Sequence, residues 1–337
     1  DEATASANSW GGDPYNTARF QARKSELYEL RTTYRNVAYF NNLPTFANPL
    51  LGEGLLSSQR ALDITRRQFD IDFEWKPRSV FSPYFGFYQA DGFGRGVTTF
   101  VVDGSEFPVA TDLDDRLRSF RGGAKLQFER WNLTLEQGRT GFADDQRVSS
   151  VGGSQPGNRR TPFFGRDLVL DELRQNYRAR GRGLFSRAAL QARPFSTLSV
   201  GAQFLFSQPK IDVEQQLRAD GSFVSQQLLL PFSGVFEQNL ADANRPHSSG
   251  SWSAEWRPRS RLRLTQNWYT DRYHVSAGST LAQVLDAAAA ERRFEDVANN
   301  LLVFRYNQHQ IDASFDVAPQ ATVRVGHRVV WGDARTP

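Results

Sequence analysis

The stretch AEWRPRSRLRLTQ, residues 254–266, has a proline between basic residues and alternating apolar and polar side chains on both sides. Proline has no backbone N–H to donate to a sheet, so it marks a turn and not the interior of a strand. The alternation has a period of two, which is typical of a strand with two different faces. The stretch therefore predicts a tight β-hairpin with Pro258 at its turn.

The same arrangement recurs around three other prolines, Pro77, Pro194 and Pro319. An apolar residue stands two positions before each proline and another stands four positions after it. A fifth copy, LQFERWNLTLEQ, has its turn near Glu129 and lacks the proline. A chain that repeats one hairpin in this way predicts an antiparallel up-and-down β-sheet.

The alternating segments predict eleven strands joined by two kinds of connection. The strands span 26–40, 61–76, 80–90, 116–129, 131–142, 177–193, 196–208, 247–257, 260–274, 302–318 and 321–332. Short turns join them at one end, and long loops rich in Gly, Pro, Asn and Asp join them at the other, at 41–60, 91–115, 143–176, 209–246 and 275–301. Within the last loop, the Ala-rich residues 280–297 predict a helix. We predict that residues 1–25 are an N-terminal segment or first-strand region and that residues 26–337 form one domain of strands, turns and loops.

Composition excludes several classes of protein. The 337-residue chain has no cysteine, so disulfides and thiolate chemistry are excluded. Its net charge is only +4 with the charges spread along the chain, unlike the clustered basic residues of a nucleic-acid-binding protein. No nucleophile, phosphate-binding or metal-ligand motif occurs. We therefore expect no enzymatic activity, no catalytic or metal-ligating residues, no cofactor and no nucleic-acid partner.

Two placements of this sheet fit the alternation. In a soluble β-sandwich the apolar face is a buried core, whereas in an outer-membrane barrel it contacts lipid and the polar face lines the lumen. Long strands, turns that are short at only one end, and aromatic residues beside those turns favour the membrane. The aromatic residues that we expect at the membrane interface are Trp75, Phe81, Trp131 and Trp256.

The long strands, the Trp-Arg-Pro and Trp-Lys-Pro turns and the Gly- and Asn-rich loops resemble those of Gram-negative outer-membrane β-barrels, porins among them. The segments YFNNLPTFANP (39–49) and LTLEQGRTGFADDQ (133–146) also resemble the large barrels that partner periplasmic multihaem cytochromes. The resemblance implies that residues 26–337 form an all-β transmembrane barrel in the bacterial outer membrane, with short periplasmic turns and long extracellular loops. Because such barrels have even strand numbers, eleven strands imply part of a larger barrel, and the alternative is a miscounted strand.

The polar face is where we expect function to reside. We predict that the following charged residues face the lumen: Arg31, Arg35, Asp70, Asp72, Glu74, Arg121, Lys125, Glu136, Arg187, Glu255, Arg261, Arg263, Arg324 and Arg328. The first hypothesis is a porin-like channel for small hydrophilic solutes, with at most a weak anion preference because the charges are mixed. The alternative is a structural sheath that holds a partner, such as a periplasmic multihaem cytochrome, across the outer membrane. The expected partners are outer-membrane lipid and a periplasmic or lumenal protein.

Overall fold

The computed structural model describes residues 1–9, 14–39, 63–102, 105–159, 161–287 and 290–336. These residues form fourteen strands. They are β1 (Glu2–Asn8), β2 (Tyr15–Lys24), β3 (Tyr28–Tyr39), β4 (Asp63–Trp75), β5 (Phe81–Val102), β6 (Ser105–Gln127), β7 (Trp131–Pro156), β8 (Val169–Phe195), β9 (Leu198–Ser225), β10 (Leu230–Asn244), β11 (His247–Arg259), β12 (Leu262–Ala287), β13 (Glu291–Ala318) and β14 (Ala321–Arg335). Within the described ranges, no helix is long and apolar enough to cross a membrane.

All fourteen strands belong to one antiparallel sheet, and strands adjacent in sequence pair with each other except β10 and β11. Strands β10 and β11 share one position between β9 and β12, each covering part of their length. The break between them is at Pro246, and the ladder continues on both sides because Arg245 N–H donates to the carbonyl of Pro209 and His274 N–H donates to that of Pro246, both at 3.0 Å. The all-β, antiparallel, up-and-down prediction is confirmed.

The strand count is fourteen instead of the expected eleven, for two reasons. The N-terminal region contributes β1 and β2, whose many polar residues obscure the alternation in the sequence. The predicted loop at 209–246 contributes β10. Since the described residues form an even number of strands, the odd count that implied a larger barrel is wrong, and the larger barrel itself stays a prediction. In the described part of the chain, β1 and β14 pair only with β2 and β13, so they form the two edges of the sheet.

The connections at one end of the sheet are short, as predicted, but those at the other end are not the long loops that we expected. At the turn end, very short connections follow β2, β4, β6, β8, β11 and β13. At the opposite end, which we call the loop end, the expected loops at 91–115, 143–176, 209–246 and 275–301 are mostly strand, so those loop predictions are wrong. The long hairpins satisfy each other's backbone groups, which open loops would leave to water. The predicted loop 41–60 lies outside the described residues.

The predicted helix at 280–297 is also wrong. Residues of β12 up to Asp286 pair with β13 from Glu291 on one side and with β10 on the other. Alanine has a high intrinsic helix propensity, but that preference is worth only about 1 kcal/mol per residue or less and gives way to tertiary context. Here two neighbouring strands supply backbone partners, and the segment extends the sheet.

In the half next to the turn end, which we call the lower half, the strands present one polar and one apolar face. In β4, the apolar residues Phe69, Ile71, Phe73 and Trp75 alternate with the acidic residues Asp70, Asp72 and Glu74. We call the face that carries Asp72, Arg121 and Lys125 the inner face and the one that carries Phe73 and Phe120 the outer face. Strands β5 and β9 touch although three strands separate them in the sheet, and their contact lies on the inner face. The sheet therefore curves with its inner face concave.

Candidate functional site: the inner face

The register places thirteen of the fourteen predicted lumen-facing residues on the inner face. Neighbouring strands bring them side by side: Arg31 pairs with Asp72 in the β3–β4 register, and Glu136 pairs with Arg187 in the β7–β8 register. Arg324 and Arg328 follow on β14. The exception is Arg261, which lies in the turn between β11 and β12 and not in a strand.

Ion pairs connect these side chains across the sheet near β4 to β7. Arg121 contacts the carboxylate of Asp72, and Lys125 Nζ lies 2.7 Å from Glu74 Oε2. Arg31 pairs with Glu29 on its own strand. Since Arg31, Arg121 and Lys125 each contact a carboxylate, positive and negative charges largely balance on this part of the inner face, which suits contact with water.

Two glycines and a tyrosine, which we did not predict from the sequence, take part in the contacts between charged side chains on different strands. Gly86 lies between Asp72 and Arg121 in the register, and a Cβ there would lie 2.4 Å from Arg121 Nε. Tyr84 likewise crosses Gly123 to donate its hydroxyl to Glu136 Oε2 at 2.9 Å. The signal available in the sequence was a glycine inside an alternating strand, which often marks the close approach of another group to the backbone.

Beyond these ion pairs, the inner face also forms a groove near the turn end. A groove of about 720 Å³ is lined by Asn132, Gln191, Ser253 and Glu255 among others. Glu255 pairs with Arg257 at 2.7 Å, and Arg328 donates to Gln308 Oε1 at 2.9 Å. The predicted residues therefore share a face but do not converge on one catalytic centre.

The four predicted interface aromatics lie on the outer face beside the tight turns. Trp75, Phe81 and Trp256 are each about half exposed, at 46%, 52% and 47%. Trp131 stacks on Phe128 with ring centroids 4.1 Å apart. An exposed apolar row of this kind is expected where a barrel wall meets the membrane boundary.

A compact apolar cluster covers the inner face at the loop end. We call it the outer-end cluster; its members are Phe100, Val102, Phe107, Val109, Val148, Phe163, Leu168, Leu170, Leu173, Leu217, Ala219, Phe223, Val224, Phe232, Val235, Leu285 and Ala287. Phe107, Leu173, Ala219 and Phe223 are completely buried. The ring of Phe223 contacts those of Phe100, Phe107 and Phe232, at centroid distances of 6.4, 6.3 and 5.3 Å.

A connection between β7 and β8 holds this cluster in place through Asn158. Its side-chain oxygen accepts from the backbone N–H of Glu106 and its side-chain nitrogen donates to Glu106 Oε2, both at 3.0 Å. Its backbone N–H donates to the carbonyl of Glu106 at 3.1 Å. Asn158 is 1% exposed, so these bonds are made in a buried setting where they are costly to break.

The two faces together define the class of protein. The outer face carries many exposed large apolar side chains over its lower half, far more than a soluble monomer presents in one contiguous patch. The opposite face of the same strands is charged. This is the inverted arrangement of an outer-membrane β-barrel, and the chain is a bacterial outer-membrane protein of that class.

No protein-family model and no curated protein matches the sequence. Among solved structures, the chain is similar to the ferric yersiniabactin uptake receptor FyuA from Yersinia pestis, with 10% identity and a TM-score of 0.45 over 96% of this chain and 49% of that one. It is also similar to the ferric-catecholate import receptor Fiu from E. coli K12, with 7% identity and a TM-score of 0.35 over 97% of this chain and 71% of that one. The chain thus spans about half the length of the first receptor.

Proposed function

We propose that the chain forms the wall of an outer-membrane channel that conducts small hydrophilic solutes along its inner face. The observation that carries this proposal is the ionic inner face of β4 to β7, set opposite an apolar outer face. Charged side chains at membrane depth are costly unless they are paired or meet water. Because a hydrated wall satisfies both requirements, a water-filled lumen fits the arrangement, and the role is transport and not catalysis.

The outer-end cluster supports a restricted entrance instead of a wide one. It packs Phe100 of one long hairpin against Phe223 of another, over the concave face of the sheet. Apolar constrictions limit the passage of water and ions more strongly than charged walls do. We therefore propose a channel with low conductance at rest.

The mixed charge of the inner face supports weak selectivity. Arg121 and Lys125 are neutralised by Asp72 and Glu74, so they present little net field to a passing ion. The basic excess among the remaining inner-face residues supports at most a weak preference for anions. A strongly cation-selective reversal potential would contradict this part of the proposal.

The experiment is a planar-bilayer recording of the purified protein that contains this chain, with an absorbance spectrum of the same sample. Stable conductance steps without a haem band support the channel. Silence together with a haem band and a co-purifying protein would overturn it in favour of the sheath. Lys125→Gln should move the reversal potential toward cation preference, whereas Arg174→Gln, on the outer face near the loop end, should not.

A further inference from the structure

Five arginines surround one glycine on the outer face. Gly141 of β7 pairs with Arg118 of β6 on one side and with Arg182 of β8 on the other. Arg139 lies on the same face one step toward the turn end. One step toward the loop end, Ala143 pairs with Arg116 of β6 and with Arg180 of β8. We call these five residues the arginine cradle: Arg116, Arg118, Arg139, Arg180 and Arg182.

Gly141 leaves a notch at the centre of the cradle. A Cβ built on Gly141 would have no heavy atom within 4 Å, so the space above the glycine is open. Neighbouring strands are about 4.8 Å apart, which places the backbones of Arg118 and Arg182 roughly 10 Å apart across the notch. Two guanidinium groups that lean inward from that separation can both donate to one phosphate.

The cradle also has an excess of positive charge without internal partners. In the described part of the chain, Arg118, Arg139 and Arg182 form no ion pair. Arg116 and Arg180 contact Asp91 and Asp145, at 3.4 and 2.7 Å. By contrast, Arg121 and Lys125 on the inner face are both paired. Like charges on adjacent strands repel each other, so an anion would stabilise this arrangement.

The position of the cradle identifies the kind of anion. Arg139 pairs with Phe120 and Leu184 on the two neighbouring strands, and these side chains are 48% and 51% exposed. They belong to the apolar band of the outer face, so the cradle lies at the edge of that band on the side away from the tight turns. Tight turns are periplasmic in such barrels, and this edge therefore meets the outer leaflet.

We propose that the arginine cradle binds a phosphate group on the head of an outer-leaflet lipid whose acyl chains lie along Phe120 and Leu184. Arginine suits this ligand because its planar guanidinium donates two parallel hydrogen bonds to phosphate oxygens. A lipid-borne phosphate is favoured over a free one because the adjoining surface is apolar and exposed. The inference rests on the outer-membrane position of the proposed channel, and it does not require that solutes pass.

The test measures lipid binding by the detergent-purified protein, using native mass spectrometry with lipid A, a glycolipid that carries two phosphates. The variant replaces Arg118, Arg139 and Arg182 with Gln. Each lost charge-assisted hydrogen bond weakens binding substantially, so we expect at least about a tenfold loss of affinity. Gly141→Glu, which places a negative charge in the notch, should have the same effect while leaving the arginines in place.

The matched control removes three other outer-face arginines nearer the loop end, in Arg147→Gln, Arg174→Gln and Arg218→Gln. This control should bind lipid A as the unaltered protein does. Equal losses in the control and cradle variants would overturn the site in favour of diffuse charge attraction. Retained binding in the cradle variant would overturn it outright.

Two further outcomes separate the possible ligands and the two proposals. Dephosphorylated lipid A should bind weakly, and millimolar inorganic phosphate should not displace the intact lipid. Displacement by inorganic phosphate would show a free-anion site and overturn the lipid assignment. If the cradle variant loses lipid binding but the unaltered protein never conducts, the lipid site stands and only the proposed channel is contradicted. If the unaltered protein conducts but the cradle variant binds lipid A normally, the channel stands and only the lipid site is contradicted.

Discussion

At the scale of single residues, two adjacent glycines of β6 face opposite sides of the sheet and should tolerate substitution very differently. A Cβ on Gly123 would lie 2.2 Å from the carbonyl oxygen of Leu135 and 2.6 Å from the hydroxyl of Tyr84. We predict that Gly123→Ala lowers the free energy of unfolding by about 1–3 kcal/mol, because a packed site must shift to admit the methyl group. Urea titration in detergent, followed by tryptophan fluorescence, measures the change.

The neighbouring substitution Gly122→Ala is the control. A Cβ on Gly122 would come no closer than 3.9 Å to its nearest neighbour, the carbonyl oxygen of Tyr84, so this change should alter stability little. If both variants are destabilised equally, the cause is the replacement of a glycine in general. It is then not the lack of space at Gly123 beneath the hydrogen bond from Tyr84 to Glu136.

The charge pattern of the inner face was predictable residue by residue because a strand alternates with a fixed period of two. Knowing that Asp70 and Asp72 share a face requires no tertiary information. The partners of those charges were not predictable, since they depend on the register between strands distant in sequence. Arg121 reaches Asp72 only because Gly86 lies between them, and that alignment is set by the whole sheet.

At the scale of elements, the lower half of β6 should place alternate residues in lipid and in water. The chain has no native cysteine, so single cysteines can be introduced without background. We predict that a small fluorophore on Phe120→Cys or Ala124→Cys is strongly quenched by brominated lipid. The same fluorophore on Ser119→Cys or Lys125→Cys should be quenched by iodide in water instead.

This measurement also decides between the two placements that the alternation permitted. In a soluble sandwich the positions 120 and 124 would be buried in protein, and neither quencher would reach them. Weak quenching by brominated lipid at both positions would therefore contradict the outer-membrane assignment. Comparable quenching at all four positions would show that β6 is not a two-faced strand.

Strands could be predicted where polar and apolar residues alternate clearly along the sequence. They could not be predicted where the two faces of a strand carry similar residues. The strands next to the proline turns were located correctly because lipid and water impose different residues on their two faces. Beyond the apolar band, both faces of β9 and β12 are mixed, and sequences such as residues 209–225 read as loop. The Ala-rich segment 280–297 was predicted as a helix for the same reason, because its sequence offers only the intrinsic helix propensity of alanine and no clear alternation.

At the scale of the whole molecule, the long hairpins converge into the outer-end cluster, which we expect to set the size of the channel entrance. Phe223 is completely buried and joins the rings of Phe100, Phe107 and Phe232. The sequence did not predict this cluster, because its members come from predicted loops and meet only through the curvature of the sheet. Its closure depends on packing between β5 and β9, which are not sheet neighbours.

We predict that Phe223→Ala loosens the outer-end cluster and raises single-channel conductance. Removing a buried phenylalanine ring typically costs about 3–5 kcal/mol, and here that loss falls on the contact between two hairpin tips while the paired strands below remain intact. The control is Phe236→Ala on the outer face, where the ring is 43% exposed and contributes nothing to the cluster. If Phe223→Ala prevents folding, the smaller change Phe223→Leu should give the same direction with a smaller increase. Unchanged conductance in both Phe223 variants, with cleavage of the hairpin tips by protease clearly accelerated, would show that the cluster opens without controlling the pore.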